Sequence, residues 1–435
     1  MQSVNALSQV ARPMLVAILA IGSLPAFAVE LPQWPTEDSP NFPRGGQHVQ
    51  AVRLLKIEGA DSGGATAVLR VGDAIFLGGK EYSRESSSRL WVWKLSFTGD
   101  VIWRTRITPP EGLDGGGGGP DLVGLLSNAD GAVRAVASWS QRPHKANTYA
   151  VDIDDSGVVK KTTPLGTFTL HRGIVADGVG GAILFGDGKH DAWVGRFDKH
   201  AKMQWQNTYS PRPQGDAAEK AADELATASG FSHATYLLDG ELFDDGSAVL
   251  IGMSGAGNKF GPGAAKLWLL RVGAEGEKLA ETVIDGGRVW PGNDSITRHG
   301  DGLIAAYTRK QLRPINRIPR GSRPELRTTV AKFDLGLQLQ WEKPGGLTSL
   351  LGASSINGTE PTIMVGEGHE DLPVCGLDDQ GNVAWETTIV TPEGFTMPFT
   401  TLRHEDQAMV IANYRVSGGG DVGLLLSWVT PPHVD

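Results

Sequence analysis

The chain has 435 residues, a formal net charge of −9 and a single cysteine, Cys375. The negative charge excludes bulk electrostatic attraction to nucleic acid. One cysteine excludes an intramolecular disulfide, a cysteine-rich zinc site and CxxCH haem attachment, and we expect neither a metal nor another cofactor. The 58 glycines, with only 7% aromatic residues, predict many tight turns rather than long helices.

The first 28 residues are predicted to form an export signal. Arg12 is the only charge before an apolar run that ends in Ala26-Phe27-Ala28. A basic start, a short apolar core and an A-x-A site are typical of a secretory signal peptide. A membrane anchor is the alternative, but a span needs about 20 apolar residues and Pro25 interrupts this run. We therefore expect cleavage near Ala28, a periplasmic or secreted protein, and a single domain over residues 29–435 without a transmembrane segment.

A four-strand unit repeats along the rest of the chain. A turn marked by Gly or Asp precedes a short apolar strand seven times, from GDAIFLGG (72–79) to DQAMVIA (406–412). A second pattern pairs an aromatic-led strand with a strand that tends to end at Trp, and Trp is absent at Lys161 and Ala280. The tryptophans of this pattern are Trp91, Trp103, Trp193, Trp205, Trp268, Trp341 and Trp385. Short runs bounded by Gly and Asp are strands, and four per unit predict an all-β, seven-bladed β-propeller with antiparallel blades.

The seventh unit lacks a fourth strand, because the chain ends soon after its third, DVGLLLSW (421–428). An unpaired sheet edge is a liability, so we expect an N-terminal strand to close the ring. Residues 31–36 carry Trp34, the residue type that ends other fourth strands, and are the predicted closing segment. VQAVRLLKI (49–57) is the alternative.

The spacing D-x-x-G-x-x-x-W is clearest in LDDQGNVAW (377–385). It resembles exported bacterial propellers of the pyrroloquinoline-quinone-like superfamily, in which the repeat Trp docks each blade against its neighbour. The resemblance implies a propeller over most of the mature chain. The quinone-dependent dehydrogenases of that superfamily use a vicinal cysteine pair, which one cysteine cannot supply. The resemblance therefore implies the non-catalytic type that acts as a periplasmic scaffold, without quinone or calcium.

The variable connections are predicted to gather on one face of the ring. They are residues 112–121, 210–230, 254–265 and 308–327. Insertions on one face of a repeat protein often mark its binding face. The alternative is that this face is simply freer to drift in sequence.

The last of these segments is strongly basic. Against one acid, Glu325, it carries Arg309, Lys310, Arg313, Arg317, Arg320, Arg323 and Arg327. Guanidinium groups bind carboxylates and phosphates bidentately, so these are the candidate partner-binding residues. The alternative is a solvated loop paired with acids on neighbouring blades.

Together these features predict a binding protein that recognises another protein through the variable face, and the basic segment favours a partner with an acidic surface. An envelope scaffold and an immunity protein that neutralises an effector are two versions. The alternatives are a secreted enzyme acting on a glycan at the central funnel, and a non-catalytic sugar- or anion-binding protein. For an enzyme we would inspect His144, His233 and His369 first. No Ser-His-Asp set or carboxylate pair can be assembled from the sequence, so no catalytic residue is assigned.

Overall fold

The computed structural model describes the chain in segments. They are residues 35–39, 42–83, 86–111, 113, 119–128, 132–142, 145–168, 171–177, 180–187, 191–211, 233–256, 266–284, 288–310, 326–345, 354–355, 362–366, 371–391, 394–417 and 421–432. These segments contain strands and turns and no helix.

Two strands, β1 (Arg44–Gly45) and β2 (Val49–Lys56), precede the first blade. Blade 1 consists of β3 (Ser62–Val71), β4 (Ala74–Ser83), β5 (Ser86–Ser96) and β6 (Val101–Ile107). Blade 2 consists of β7 (Pro120–Ser127), β8 (Val133–Arg142), β9 (Lys145–Ile153) and β10 (Val159–Phe168). Blade 3 consists of β11 (His171–Ala176), β12 (Ala182–Gly186), β13 (Ala192–Phe197) and β14 (Met203–Tyr209). Blade 4 consists of β15 (His233–Leu242), β16 (Ala248–Ala256), β17 (Lys266–Val272) and β18 (Lys278–Ile284).

Blade 5 consists of β19 (Arg288–His299), β20 (Gly302–Lys310), β21 (Leu326–Asp334) and β22 (Leu339–Pro344). Blade 6 consists of β23 (Ser354–Ser355), β24 (Thr362–Val365), β25 (Asp371–Leu377) and β26 (Val383–Val390). Blade 7 begins with β27 (Gly394–His404), β28 (Gln407–Val416) and β29 (Val422–Val429).

Each blade is an antiparallel sheet, and the blades form a ring. The first strand of every blade contacts the first strand of the next, and β27 of blade 7 contacts β3 of blade 1. The predicted seven-bladed β-propeller with four antiparallel strands per blade is therefore confirmed.

The core lies between the blades rather than inside any one of them. One buried cluster joins Phe76 and Leu90 of blade 1 to Leu125 and Val151 of blade 2. Strands β12, β24 and β29 are buried along their whole length. A strand that is covered on both faces is a continuous apolar run, which explains why these segments lack a polar–apolar alternation.

The N-terminal segment closes the ring through β2. This strand pairs with β29, from Val49 opposite Val429 to Lys56 opposite Gly423, and becomes the fourth strand of blade 7. The alternative segment, 49–57, is the one observed. The segment near Trp34 does not hold this edge, because β28 and β2 occupy the two sides of β29. Trp34 itself lies outside the described residues.

The same segment also extends blade 6. Strand β1 pairs with β26, with Arg44 opposite Val390 and Gly45 opposite Ile389. The N-terminal chain therefore joins blades 6 and 7 before it enters blade 1.

Candidate functional site

The recurrent Asp-x-x-Gly segment forms the turn between the third and fourth strands of a blade. In blade 6, Asp378 Oδ1 accepts the N–H groups of Gln380 at 3.0 Å and Asn382 at 2.7 Å. Gly381 has φ = +77°, a conformation that glycine adopts without a steric penalty. Hydrogen bonds from the side chain and the backbone of Asn382 lower the pKa of Asp378. The motif is thus a self-contained turn whose carboxylate replaces missing backbone partners.

The fourth-strand tryptophan of one blade packs on this turn in the next blade. Trp103 Nε1 donates to the carbonyl oxygen of Asp155 at 2.9 Å, and a Cβ built on Gly157 would lie 2.8 Å from the indole ring. Trp205 Nε1 donates in the same way to Ala274 at 2.7 Å. The turn glycine therefore serves two purposes, a positive φ and close approach of the ring.

Two further junctions follow the same plan. The ring of Trp341 packs on Gly381 of blade 6. Trp385 faces the ring of His48 with centroids 6.0 Å apart, and Thr387 Oγ1 donates to the carbonyl of Gln47. In blade 7 the third strand, β29, and the fourth, β2, are not joined by a turn. The residues just before β2 contact Trp385 and Thr387 where that turn would lie.

Blade 7 places its docking tryptophan on a different strand. Ala51 of β2 lies opposite Trp428 of β29, and it is Trp428 that reaches blade 1. Its Nε1 donates to the carbonyl of Phe97 at 2.8 Å, and its ring would lie 2.8 Å from a Cβ on Gly99. The sequence pattern missed this role because it assigns docking tryptophans to fourth strands.

The third-strand tryptophans are placed differently. Trp91 and Trp268 are fully buried, and Trp268 Nε1 donates to Glu281 Oε1 at 2.9 Å within blade 4. Trp193 packs against Phe168 of blade 2 with the two rings tilted and their centroids 4.8 Å apart. The repeat tryptophans therefore comprise a docking set and a core set.

The fourth strand of blade 4 has no docking tryptophan, and its junction with blade 5 is filled in another way. Ala280 takes the tryptophan position, and the turn residue of the next blade is Leu337, with φ = +60° and a fully buried side chain. Thr282 Oγ1 donates to the Leu337 carbonyl at 2.7 Å, and Arg271 Nη1 donates to the Leu335 carbonyl at 2.8 Å. The leucine fills space that an indole occupies elsewhere.

The fourth strand of blade 2 also lacks a docking tryptophan, and a partly open cavity of about 350 Å³ lies at its junction with blade 3. Lys161 takes the tryptophan position, and Ala201 is the turn residue, with φ = +65°. We call this cavity the open slot; it is lined by Asn128, Arg134, Asp152, Lys161, Thr163, Lys199 and His200. It lies on the face formed by the first–second and third–fourth turns, which we call the turn face.

A second cavity, of about 220 Å³, lies among the first strands at the centre of the ring. β-Bulges interrupt these strands, and bulges redirect side chains. The residues at four of the bulges line the cavity: Thr66, Val123, Leu238 and Phe399.

Asp239 is the carboxylate that lines this central cavity among the described residues. Its Oδ2 accepts the N–H groups of Ser295 at 2.5 Å and Ile296 at 3.1 Å, and its Oδ1 accepts that of Gly240 at 2.8 Å. Asp239 therefore links blade 4 to blade 5 through backbone N–H groups of Ser295 and Ile296.

The opposite face, which we call the loop face, carries the predicted partner-binding residues. At the base of the basic loop, β20 pairs with β21, with Arg309 opposite Arg327 and Lys310 opposite Leu326. The remaining candidates lie outside the described residues: Arg313, Arg317, Arg320 and Arg323.

The histidines proposed for an enzyme are not brought into a described site. His233 begins β15, whereas His144 and His369 lie outside the described residues. Cys375 is buried on β25, and burial raises the pKa of its thiol to about 12. A thiol that is protonated at neutral pH is a poor nucleophile.

In the described segments, no group of three or more His, Cys, Asp or Glu side chains is placed to hold a metal ion. The same segments contain no helix of the length and hydropathy needed to cross a membrane.

Comparisons with known proteins support the fold alone. No family model and no curated protein matches the sequence. Among solved structures, the polysaccharide lyase Uly1 matches with a TM-score of 0.50 and 10% identity over 84% of this chain and 90% of that one. A protein of unknown function from Dyadobacter fermentans matches with a TM-score of 0.48 and 13% identity over 87% and 99% of the two chains. The β-propeller domain of the trilobed protease from Pyrococcus furiosus, described as having an open velcro topology, gives 0.45 and 7% over 84% and 95%.

Proposed function

We propose that this protein is an exported propeller that binds another protein through its loop face. The observation that supports this most directly is the difference between the two faces. On the turn face, strands follow each other closely, as between Val71 and Ala74 or between His404 and Gln407. On the loop face, the connections run from Tyr209 to His233 and from Lys310 to Leu326. A rigid ring that carries its long segments on one side is the usual arrangement of a binding scaffold.

The charge of the basic loop defines the kind of partner. Seven cations lie between residues 309 and 327 in a chain of net charge −9. Arginine binds carboxylates through paired hydrogen bonds, so the partner presents an acidic surface. An envelope scaffold and an effector-neutralising immunity protein both fit this chemistry. Net negative charge on the rest of the chain disfavours nucleic acid.

The alternative function is a secreted enzyme that acts on a glycan at the funnel, where the central cavity lies. A glycosidase needs a pair of carboxylates about 5 to 10 Å apart. Among the described lining residues the carboxylate is Asp239, and backbone N–H groups already occupy it. Binding at the loop face therefore has the stronger support.

The test is affinity capture from the cell envelope with a matched pair of triple variants. Arg313→Glu, Arg317→Glu and Arg320→Glu reverse the loop, whereas Lys160→Glu, Lys202→Glu and Lys278→Glu reverse the same charge on the turn face. We expect one stoichiometric partner, retained by the turn-face triple and reduced about tenfold or more by the loop triple. Melting temperatures of both variants verify folding.

Equal capture by the two triples would remove the basic loop from the proposal. Absence of any protein partner would reject protein recognition and favour a glycan or small-molecule ligand. The identity of a loop-dependent partner separates the scaffold from the immunity protein.

A further inference from the structure

The open slot keeps the polar contact of a docked junction without its ring. At the docked junctions an indole N–H donates to the second residue of the next turn. In blade 3 the corresponding carbonyl is that of Lys199, and Arg134 Nη1 donates to it at 2.7 Å. The turn itself is unchanged, because Asp198 Oδ1 accepts the N–H groups of His200 at 2.9 Å and Lys202 at 3.0 Å. The space of the open slot therefore results from the absence of the indole side chain and not from a distortion of the turn.

The charges around the vacancy are predominantly positive. Arg134 holds Asp152 through two hydrogen bonds, of 2.6 and 3.2 Å, and its side chain is only 9% exposed. That pair neutralises the one carboxylate in the lining. Lys161 and Lys199 remain, and neither forms an ion pair with the described residues. Two lysines at a partly enclosed site attract an anion, because a cleft lined by one sign of charge raises the local concentration of ions of the opposite sign.

The volume indicates a ligand larger than a bare oxyanion. A cavity of about 350 Å³ lies at the lower end of the range for small-molecule pockets, roughly 300 to 1,000 Å³. A water molecule takes about 30 Å³ of liquid, so a single phosphate or acetate would leave most of the slot to solvent. The equivalent position at other junctions accepts a flat indole against the turn. A lysine ammonium beside a ring adds a cation–π attraction.

We infer that the open slot binds a small aromatic carboxylate. The ring lies against the 199–201 turn in the position of the docking tryptophans, and the carboxylate is held by Lys161 and Lys199. Arg134 and Asp152 form the fixed wall. The slot is on the turn face, so this ligand and a partner on the loop face bind opposite sides of the ring, and either can fail without the other.

The experiment is calorimetric titration of the purified protein with three probes: indole-3-acetate, indole and acetate. We expect indole-3-acetate to bind one per chain, with a Kd at least about tenfold lower than that of indole or acetate. The paired substitution Lys161→Trp and Ala201→Gly fills the slot as at the docked junctions and should abolish binding. Lys161→Met and Lys199→Met should each weaken it about tenfold.

A control variant carries the same type of change away from the slot. Lys278→Met lies on blade 4 and should leave the titration unchanged. An unaltered or raised melting temperature of the filled-slot variant shows that lost binding is not lost folding.

Each other result overturns the inference in a defined way. Equal affinity for acetate means that the ring contributes nothing, and equal affinity for indole means that the lysines contribute nothing. Binding that survives the filled slot lies elsewhere on the protein. Absence of binding by all three probes rejects an aromatic carboxylate site.

Discussion

The junction between blades 1 and 2 and the junction between blades 2 and 3 solve one problem in two ways. In the first, Trp103 donates to the Asp155 carbonyl at 2.9 Å and covers Gly157 with its ring. In the second, Arg134 donates to the Lys199 carbonyl at 2.7 Å, and Lys161 stands on the fourth strand where the first junction has its tryptophan. The hydrogen bond that sets the position of a blade is thus separable from the apolar burial beside it. A repeat can lose its packing residue and keep its geometry, and the space set free can acquire a ligand.

The largest effect is expected where the ring is closed by a strand from the far end of the chain. A chain that starts at residue 58 lacks β1 and β2 and exposes the edge of β29. We expect it to lose cooperative unfolding. The free energy lost with the closing strand is comparable to the whole free energy of unfolding of a domain, about 5 to 15 kcal/mol.

A chain that starts at residue 41 keeps both strands and is the matched control. Urea unfolding followed by tryptophan fluorescence distinguishes the two. Wild-type unfolding of the shorter chain would show that β2 is dispensable for closure.

Removing a docking ring should cost far more than removing the lysine at its equivalent position. Truncation of a buried aromatic side chain costs about 3 to 5 kcal/mol, and Trp103 is only partly buried, so we expect about 2 to 3 kcal/mol for Trp103→Ala. Lys161→Ala should change the free energy of unfolding by no more than about 0.5 kcal/mol, because it empties no packed space. Urea titrations of the two variants give both values. Similar losses would mean that the open slot is packed in solution.

The turn residue should show the same contrast on a smaller scale. Gly157 has φ = +85° and lies against Trp103, so Gly157→Ala adds the left-handed cost of about 1 to 2 kcal/mol and displaces the ring. Ala201→Gly removes that strain at the open slot, and we expect a change below about 1 kcal/mol. In a double-mutant cycle, Trp103→Ala should recover part of the Gly157→Ala loss, whereas strict additivity would show that ring and turn are not coupled.

Sequence periodicity was sufficient to predict the blades, because Gly- and Asp-bounded apolar runs depend on local turn chemistry. It leaves two candidates for the closing strand: the preference for the segment near Trp34 rests on residue type alone, and the alternative, 49–57, is the one that pairs with β29. On β2 the residue opposite Trp428 is Ala51, and the docking ring is that of Trp428 on the third strand, β29. Which strand carries a docking tryptophan depends on pairing between the two ends of the chain, and no local pattern records that.

The open slot was only half visible in the sequence. The sequence shows that Lys161 replaces the repeat tryptophan and that Ala201 replaces the turn glycine of the next blade. The same two changes occur at Ala280 and Leu337, where they produce a filled junction. Only the structure distinguishes the two outcomes. Arg134 lies on β8, the second strand of blade 2, and its hydrogen bond to the Lys199 carbonyl crosses from blade 2 to blade 3.

The smallest effect is expected at the Asp-led turns, which have the same hydrogen bonds at the docked junctions and at the open slot. At Asp198, below the open slot, burial opposes the shift, but the N–H groups of Lys202 and His200 outweigh it and lower the pKa. At Asp378, below the ring of Trp341, hydrogen bonds from Asn382 lower the pKa. A carboxyl whose folded pKa lies below its ordinary 3.8 contributes stability above that pH and loses it as the pH falls towards the folded value.

The free energy of unfolding should therefore decrease as the pH falls below about 4, and Asp198→Asn and Asp378→Asn should each flatten that decrease by a similar amount. Urea unfolding of wild type and both variants at pH 7, 4 and 2.5 measures the slopes. A flattening confined to Asp378→Asn would show that the ring, and not the turn, sets the carboxylate's environment. In that case the two junctions would differ in their turns as well as in their packing.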